Sequence, residues 1–240
     1  MKKKAFIFFT FILFTFLCQG QQLNGKITYK INNSNLSINT DTIKNHTVKK
    51  LLNKIFTNSK DTEGITFELV FNKEKSFFKY IEQLEASDLK INLHHILAKT
   101  NGKIFSTHKF SLNKSSRYDL LIKDSYSDYK WKLINESKKI GGIICYKATG
   151  IKTTFKTKKN IYRKSKITAW YAPEINVPFG PSGFGGLPGL ILELTDGKLT
   201  NFYASKINLK KKKKVKSPPK IKVIEREKFN ELKRKQYLGE

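Results

Sequence analysis

The sequence predicts a mainly β protein of the α+β class: a curved antiparallel sheet, shaped as a half-barrel or open barrel, with one or two packed helices. Short segments with strand-like alternation recur along the chain, and Gly, Pro, Asn, Asp or Ser bound them. Only one segment has a clear helical period. Cys145 is the only cysteine left once a predicted leader is removed, so the core depends on packing and not on a disulfide.

The first twenty residues are typical of a secretory signal peptide. Three lysines precede an apolar run over residues 5–17, and a cleavage site follows between Gly20 and Gln21. As a helix, a run of about 13 residues spans roughly 20 Å, less than the hydrocarbon core of about 30 Å. We therefore expect a secreted or periplasmic protein with no transmembrane segment after cleavage. The mature chain divides into one β-rich domain, 21–209, and a basic linker with a C-terminal helix or tail, 210–240.

The chain is strongly basic, with 47 Lys and Arg against 19 Asp and Glu and a net charge of +28. Loss of the three leader lysines leaves 44 basic residues and a net charge of +25. Only four basic residues are arginines, although bidentate phosphate contacts favour Arg. We attribute the lysine excess, with abundant Asn and Ile, to AT-rich codon usage and predict no nucleic-acid partner. Attachment to acidic polymers such as lipopolysaccharide is the alternative.

The first half of the mature chain predicts two strand regions and a helix. The stretch "NGKITYKI", Asn24–Ile31, alternates as a strand, and residues 41–56 carry apolar residues at helical spacing. Two further strands, Ile65–Phe71 and Ser76–Gln83, form a hairpin around a short polar turn. Residues 84–116 are polar and low in core-forming residues, so we expect an irregular section.

Six short strands are predicted after residue 116, which indicates a meandering antiparallel sheet. They are "RYDLLIKD", "DYKWKLI", "KIGGIICYKATGI", "KSKITAWYAP", "GLILELTD" and "NFYASKINL". The run "KKKKKVKSPPK", residues 210–220, is typical of a solvated edge or linker. A polybasic anchor is the alternative for this run.

The stretch "PFGPSGFGGLPGLILELTDG", residues 178–197, is rich in Gly and Pro. It lacks the pattern of a phosphate loop and precedes a strand where such a loop precedes a helix. Ser182 also lacks the Gly-x-Ser-x-Gly frame of a nucleophile elbow. We predict a rigid loop that leads into a core strand. Its structural residues are Gly185, Gly186, Leu187, Pro188, Gly189, Leu190 and Ile191.

Three blocks of sequence resemble the GLPGLI family of secreted bacterial proteins. They are "GGLPGLILEL" at 185–194, "AWYAPEINVPFGPSGF" at 169–184 and "WKLINESKKIGGIICYKAT" at 131–149. The family is functionally uncharacterised, so the resemblance implies export and an uncharacterised role without implying an activity.

Catalytic and metal-binding chemistry have weak candidates. Cys145, between apolar neighbours, is typical of buried packing more than of a nucleophile. The four histidines lack the spacing of a metal site, and we predict neither a metal nor a cofactor. Glu193 should face solvent within a strand and Asp196 should serve a turn. Glu174 is the best single polar candidate.

Four aromatic residues bracket the Gly-rich loop: Trp170, Tyr171, Phe179 and Phe184. They either pack in the core or line a pocket for an apolar or sugar-like ligand, and with Glu174 they form the predicted ligand-binding set. The leading hypothesis is a non-enzymatic envelope module that uses a concave sheet face and this loop to hold an apolar ligand or another envelope protein. The alternatives are a secreted hydrolase or peptidase using Cys145 or Glu174, and a basic structural protein that adheres to acidic surfaces.

Overall fold

A computed structural model describes residues 23–31, 66–81, 103–115, 118–197, 200–209 and 213–239. These residues form twelve β-strands and one α-helix. The strands are β1 (Gly25–Ile31), β2 (Thr66–Phe71), β3 (Ser76–Tyr80), β4 (Lys103–Ser106), β5 (Phe110–Lys114), β6 (Leu120–Ser125), β7 (Lys132–Ile140), β8 (Ile143–Lys156), β9 (Ile161–Ala172), β10 (Leu190–Asp196), β11 (Thr200–Asn208) and β12 (Lys222–Glu225). The helix is α1 (Arg226–Leu238), and short 3-10 helices span Tyr126–Tyr129, Thr157–Lys159 and Pro181–Gly183.

All twelve strands belong to one sheet, in the order β12-β6-β5-β4-β3-β2-β1-β11-β10-β9-β8-β7. Every described pair is antiparallel except β12 with β6, which is parallel. The sheet is open, since β7 and β12 are its edges. The prediction of a mainly β, antiparallel fold is confirmed. Within the described ranges, no helix is long and apolar enough to cross a bilayer.

The main core lies on one face of the sheet and is rich in aromatic rings. Phe67 stacks on Phe78 with ring centroids 5.3 Å apart and meets the edge of Phe202 at 5.4 Å. These rings come from β2, β3 and β11, and all three are buried. Because β1 lies between β2 and β11 in the sheet, Tyr29 on β1 joins the same cluster.

The other face of the sheet is covered in part by the basic segment that precedes β12. Val215 is buried against Val70, Phe77 and Phe105 in a second apolar cluster. Lys213 also bonds to the buried carboxylate of Glu68 on β2, 3.2 Å away. Val215 is thus an exception to the solvated linker predicted over 210–220, whereas the other residues of 213–220 are exposed as predicted.

The irregular section predicted at 84–116 instead contains the β4–β5 hairpin. Ser106 and Ser111 face each other across these strands and are both buried, so polar residues occupy core positions and hide the apolar alternation. The prediction was wrong here for that reason. The predicted helix over 41–56 and residues 82–102 lie outside the described part of the chain.

The segment "KIGGIICYKATGI" is two strands and not the single strand predicted. Gly141 and Gly142 both have positive φ, 57° and 85°, and form the two-residue turn between β7 and β8. This turn favours glycine, because glycine has no Cβ and adopts positive φ without a clash. The predicted hairpin at 65–83 is confirmed as β2 and β3, although its second strand ends at Tyr80.

The C-terminal helix packs beside β6 through an ion pair at its first residue. Arg226 donates two hydrogen bonds to Asp124, from Nε to Oδ1 and from Nη2 to Oδ2, each 2.6 Å long. Phe229 is buried against Ile122 and Ile224. The strand before this helix, β12, was not predicted because four residues with two apolar side chains carry too little period to be recognised.

Candidate functional site

The GLPGLI motif, Gly186–Ile191, lies in the core of the protein and leads directly into β10. Leu187, Leu190 and Ile191 are buried in the main cluster, whereas Pro188 is exposed. The Leu190 N–H bonds to the Ile175 carbonyl at 3.0 Å, so the loop is held to its own preceding turn. The motif is therefore the entry to a core strand, as the loop prediction states.

Two side chains from distant parts of the chain fix this region through its backbone carbonyls. The Tyr29 hydroxyl on β1 donates to the Ile191 carbonyl at 2.6 Å. The Trp131 indole N–H donates to the Gly185 carbonyl at 2.9 Å. Burial raises the pKa of Tyr29 well above its ordinary value, so this hydroxyl remains a donor throughout the physiological range.

The structure does not bring the predicted ligand-binding residues into one pocket. Phe179 and Phe184 are 0% and 1% exposed and pack in the core, where Phe184 stacks on Tyr129 with centroids 4.9 Å apart. Neighbouring residues of a strand point to opposite faces, so Tyr171 and Trp170 on β9 are separated by the sheet. Tyr171 faces the core side, and Trp170 lies under the Lys138 ammonium at 4.4 Å.

Cys145 and Glu174 have different surroundings. Cys145 is fully buried on β8, and burial raises the pKa of its thiol to about 11. The thiol is therefore protonated at neutral pH, whereas a nucleophilic cysteine requires the thiolate. Glu174 lies in the exposed turn after β9. The hydrolase hypothesis thus loses its sulfur nucleophile.

The two other carboxylates near the motif form ion pairs. Glu193 is half-buried on β10 and accepts a bond from Lys138 at 2.7 Å. Asp196 is the last residue of β10 and is 3% exposed, and Lys152 donates to it at 2.8 Å. Asp196 directly precedes the turn between β10 and β11, where Gly197 has a positive φ of 68°.

Histidine chemistry is sparse in the described chain. His108 lies 2.5 Å, through Nε2, from the Lys73 carbonyl and meets the Phe179 ring at 5.8 Å. His46, His94 and His95 fall outside the described residues. In the ranges that the structure describes, no group of three or more His, Cys, Asp or Glu is arranged to hold a metal ion.

An open groove lies between the tip of the β8–β9 hairpin and α1. It has a volume of about 860 Å³, within the range of roughly 300–1,000 Å³ typical of ligand sites. We call it the basic groove. Its lining has four cations, Lys156, Lys159, Arg163 and Lys233, beside the apolar Phe155, Ile161 and Tyr237.

The walls of the basic groove are fixed by contacts between the hairpin and the helix. The Tyr162 hydroxyl donates to Glu227 Oε2 at 2.7 Å, and this bond raises the pKa of Tyr162. The rings of Tyr162 and Phe155 are 5.0 Å apart across the β8–β9 pair. Among the described residues that line the groove, none is acidic, so the site favours negative charge.

The basic groove was not predicted from the sequence, although a signal was present. The stretch "FKTKKNIYRK", residues 155–164, mixes five basic residues with three apolar ones at the tip of a hairpin. Such interleaving of basic and aromatic residues is typical of a surface that binds anions. The second wall lies about 70 residues further on in α1, and only the fold brings the two together.

These features define an open, mainly antiparallel β protein with one C-terminal helix, a buried Gly-Pro loop and a basic groove. A family model described as "Protein of unknown function (Porph_ging)" matches residues 153–193, a segment that contains the whole GLPGLI motif. The match supports a relationship to an uncharacterised bacterial family. A search of curated proteins found no match.

Several solved structures match this chain with low similarity. Two crystal forms of PNGF-II match at 16% and 15% identity with TM-scores of 0.49 and 0.48, each over 88% of this chain. The chain spans about a third of the length of PNGF-II, 32% and 33% in the two forms. An uncharacterised conserved protein from Thermus thermophilus matches at 7% identity and a TM-score of 0.34, over 86% of this chain and 92% of that one.

Proposed function

We propose that the protein is an exported, non-enzymatic binding module of the cell envelope that holds an anionic ligand in the basic groove. The observation that carries this proposal is the position of four cations on two facing walls of one open groove. Lys156, Lys159 and Arg163 come from the hairpin and Lys233 comes from α1. A ligand that contacts both walls gains from several charges at once, whereas an isolated surface cation contributes little.

The apolar lining supports the same assignment. Phe155, Ile161 and Tyr237 line the groove together with the cations, and the aliphatic stems of the lysines can extend this apolar surface. Ligand sites commonly combine such a lining with a few charged groups that orient the ligand. The predicted leader, residues 1–20, would place the groove in the periplasm or outside the cell.

We also propose that the sheet is curved as a half-barrel, with residues 173–189 on its concave face. In support, the 3-10 helix Tyr126–Tyr129 joins β6, beside one edge, to β7 at the other edge, and it contacts both β8 and the ring of Phe184. Since Phe179 and Phe184 fill this side of the sheet, we assign the ligand to the basic groove and not to the concave face.

Binding of long-chain polyphosphate, a soluble polyanion, tests the groove. We expect the mature chain, residues 21–240, to bind it with an affinity that falls steeply as salt is added. The double variant Arg163→Glu, Lys233→Glu reverses one charge on each wall. At about 1 kcal/mol for each charge near an anionic surface, it should weaken binding more than tenfold in isothermal titration calorimetry.

A matched control has the same change in net charge on β7, which pairs with residues 143–149 of β8, away from the hairpin tip at 157–160. Lys132 and Lys139 on β7 are exposed, so Lys132→Glu with Lys139→Glu should bind almost as the unmodified protein does. Equal weakening by both double variants would mean that binding follows net charge alone, and the groove would lose its role.

A further inference from the structure

Exposed apolar side chains lie on both elements that form the basic groove, and two of them, Ile161 and Tyr237, line it. Ten large hydrophobic residues are exposed in the part of the chain that the structure describes, and five of them belong to β9 near the hairpin tip or to α1. They are Ile161, Tyr162, Leu232, Tyr237 and Leu238, each between 49% and 57% exposed. Exposed apolar groups that cluster among polar residues mark surfaces that bind a membrane or another protein.

We call these five exposed side chains the rim of the groove. Their chemistry matches the boundary between water and lipid. Tyr162 and Tyr237 each combine an apolar ring with a polar hydroxyl, which is the character of residues enriched at membrane interfaces. Lysine stems can lie along acyl chains while their ammonium groups reach phosphate oxygens. The cations that line the groove thus lie beside the side chains that would enter the lipid.

We propose that the basic groove and its rim dock on the surface of a membrane that contains anionic phospholipid. The inference rests on the proposed function and names the source of the negative charge. Charge complementarity selects the anionic surface, because four cations and no acidic residue line the groove in the described chain. Its apolar rim selects lipid over a soluble acidic polysaccharide, since Ile161 and Leu238 have no group that a sugar hydroxyl could bond to.

Helix α1 fits this role because it packs on the sheet through one buried side chain and leaves other apolar side chains exposed. Phe229 packs inward on the sheet, while Leu232, Tyr237 and Leu238 remain exposed beside Lys233 and Lys235. At 100° per residue, Tyr237 lies about 40° around the helix from Lys233, so α1 presents one aromatic ring beside one cation to the groove. The contact of Tyr162 with Glu227 attaches the hairpin to the helix, while Ile161, which alternation places on the other face of β9 from Tyr162, lines the groove with Tyr237.

Vesicle binding tests the proposal directly. The mature chain should sediment with vesicles of phosphatidylglycerol mixed with phosphatidylcholine, and not with vesicles of phosphatidylcholine alone. The variant Ile161→Ser, Leu238→Ser should weaken this binding about tenfold, whereas Leu133→Ser at the exposed β7 edge should leave it unchanged. All three side chains are about half exposed or more, so these changes should not unfold the protein.

A fluorescent residue reports which surface meets the lipid. Tyr237→Trp should show a blue shift in emission when phosphatidylglycerol vesicles are added. Leu133→Trp, at a position of almost equal exposure, should show none. A blue shift at position 133 with none at position 237 would overturn the proposal, as would binding of the uncharged vesicles as strong as that of the anionic ones.

Comparing polyphosphate binding with vesicle binding distinguishes failure of this inference from failure of the proposed function. If the groove binds polyphosphate but no vesicles of either composition, membrane docking is wrong and the anionic ligand is a soluble one. Alginate, an acidic polysaccharide, then replaces the vesicles as the probe of that ligand. If neither polyphosphate nor the anionic vesicles bind, the proposed function fails together with this inference.

Discussion

At Gly189 the chain passes so close to its own backbone that no side chain fits. A Cβ at this position would lie 2.4 Å from the Ala172 carbonyl oxygen and 2.8 Å from Pro173 Cα, and its φ is 153°. These neighbours are main-chain atoms, which cannot move aside as a flexible side chain can. The second glycine of the GLPGLI motif is thus required by packing between β9 and β10.

We expect Gly189→Ala to lower the free energy of unfolding by about 3 kcal/mol or more, as strain combined with a buried clash typically does. Gly142→Ala is the matched control, because Gly142 also has positive φ but a methyl group added there would have no other atom within 4 Å. It should lose only about 1 kcal/mol from the unfavourable φ. Urea titration measures both values, and equal losses would contradict the packing explanation.

Among the loop residues, the sequence identified the fixed backbone but not the partners that fix it. Gly and Pro restrict φ locally, so a rigid loop was predictable. The hydrogen bonds from Tyr29 and Trp131 to this loop connect residues 162 and 54 positions apart, and no local pattern encodes them. The burial of Phe179 and Phe184 likewise depends on which strands lie opposite them.

At the scale of elements, the basic segment after β11 is attached to the sheet by one buried carboxylate. Glu68 on β2 forms ion pairs with Lys26 on β1 and Lys213 in the segment, and it is 5% exposed. Burial alone raises the pKa of Glu68, but the hydrogen bonds from Lys26 and Lys213 outweigh it, so the net pKa lies below its usual value of 4.5. Glu68 therefore stabilises the fold in its ionised form.

A lowered pKa in the folded state means that this contribution is complete above about pH 4.5 and is lost as the pH falls through the folded value. We expect Glu68→Gln to cost about 1.5–3 kcal/mol at neutral pH, the range for hydrogen bonds to charged groups. The difference from the unmodified protein should shrink as the pH falls below 4.5. Thermal unfolding across this pH range measures it.

The control for this prediction is Glu136→Gln. Glu136 accepts a hydrogen bond from Lys147 at 2.7 Å, but its side chain is 53% exposed, so its removal should cost less than about 1 kcal/mol. A difference between Glu68→Gln and the unmodified protein that stays constant down to acid pH would show that Glu68 acts by packing and not through its charge.

The strands that were predicted well have apolar residues on one or both faces, as in β1, β2 and β10. Those that were missed contain buried polar residues, as in β4 and β5, or too few residues, as in β12. The boundary between β7 and β8 was lost because a Gly-Gly turn lies within an otherwise apolar run. In each case the local sequence pattern is weak, and the strand forms because pairing with its neighbours in the sheet stabilises it.

At the scale of the whole molecule, we propose that residues 1–20 direct export and are then removed. We expect the protein expressed in a Gram-negative host to accumulate in the periplasm without residues 1–20. Intact-mass measurement should give an N-terminus at Gln21. Deleting Lys2, Lys3 and Lys4 removes the basic start of the leader and should slow processing. Retention of all twenty residues in a cytosolic product would exclude this location.

The basic groove is also a property of the whole molecule, because one wall is the β8–β9 hairpin and the other is α1 at the end of the chain. The two walls come together only in the complete fold. The composition gives the net charge, but it does not show where the cations lie on the folded protein. The codon-usage explanation treats the lysines as a uniform excess, whereas the fold brings four cations together with three apolar side chains in the lining of one groove. Composition alone cannot distinguish these two arrangements.

The position of β1 in the middle of the sheet has a consequence for how the molecule is assembled. This seven-residue strand hydrogen-bonds to β2 on one side and to β11 on the other, so Lys26 is paired with Asn208. Contacts between residues so far apart in the chain form late, because a long loop must close first. The two halves of the sheet therefore become continuous only after nearly all of the polypeptide has been synthesised, and a chain lacking these seven residues would leave β2 and β11 as two unsatisfied, aggregation-prone edges.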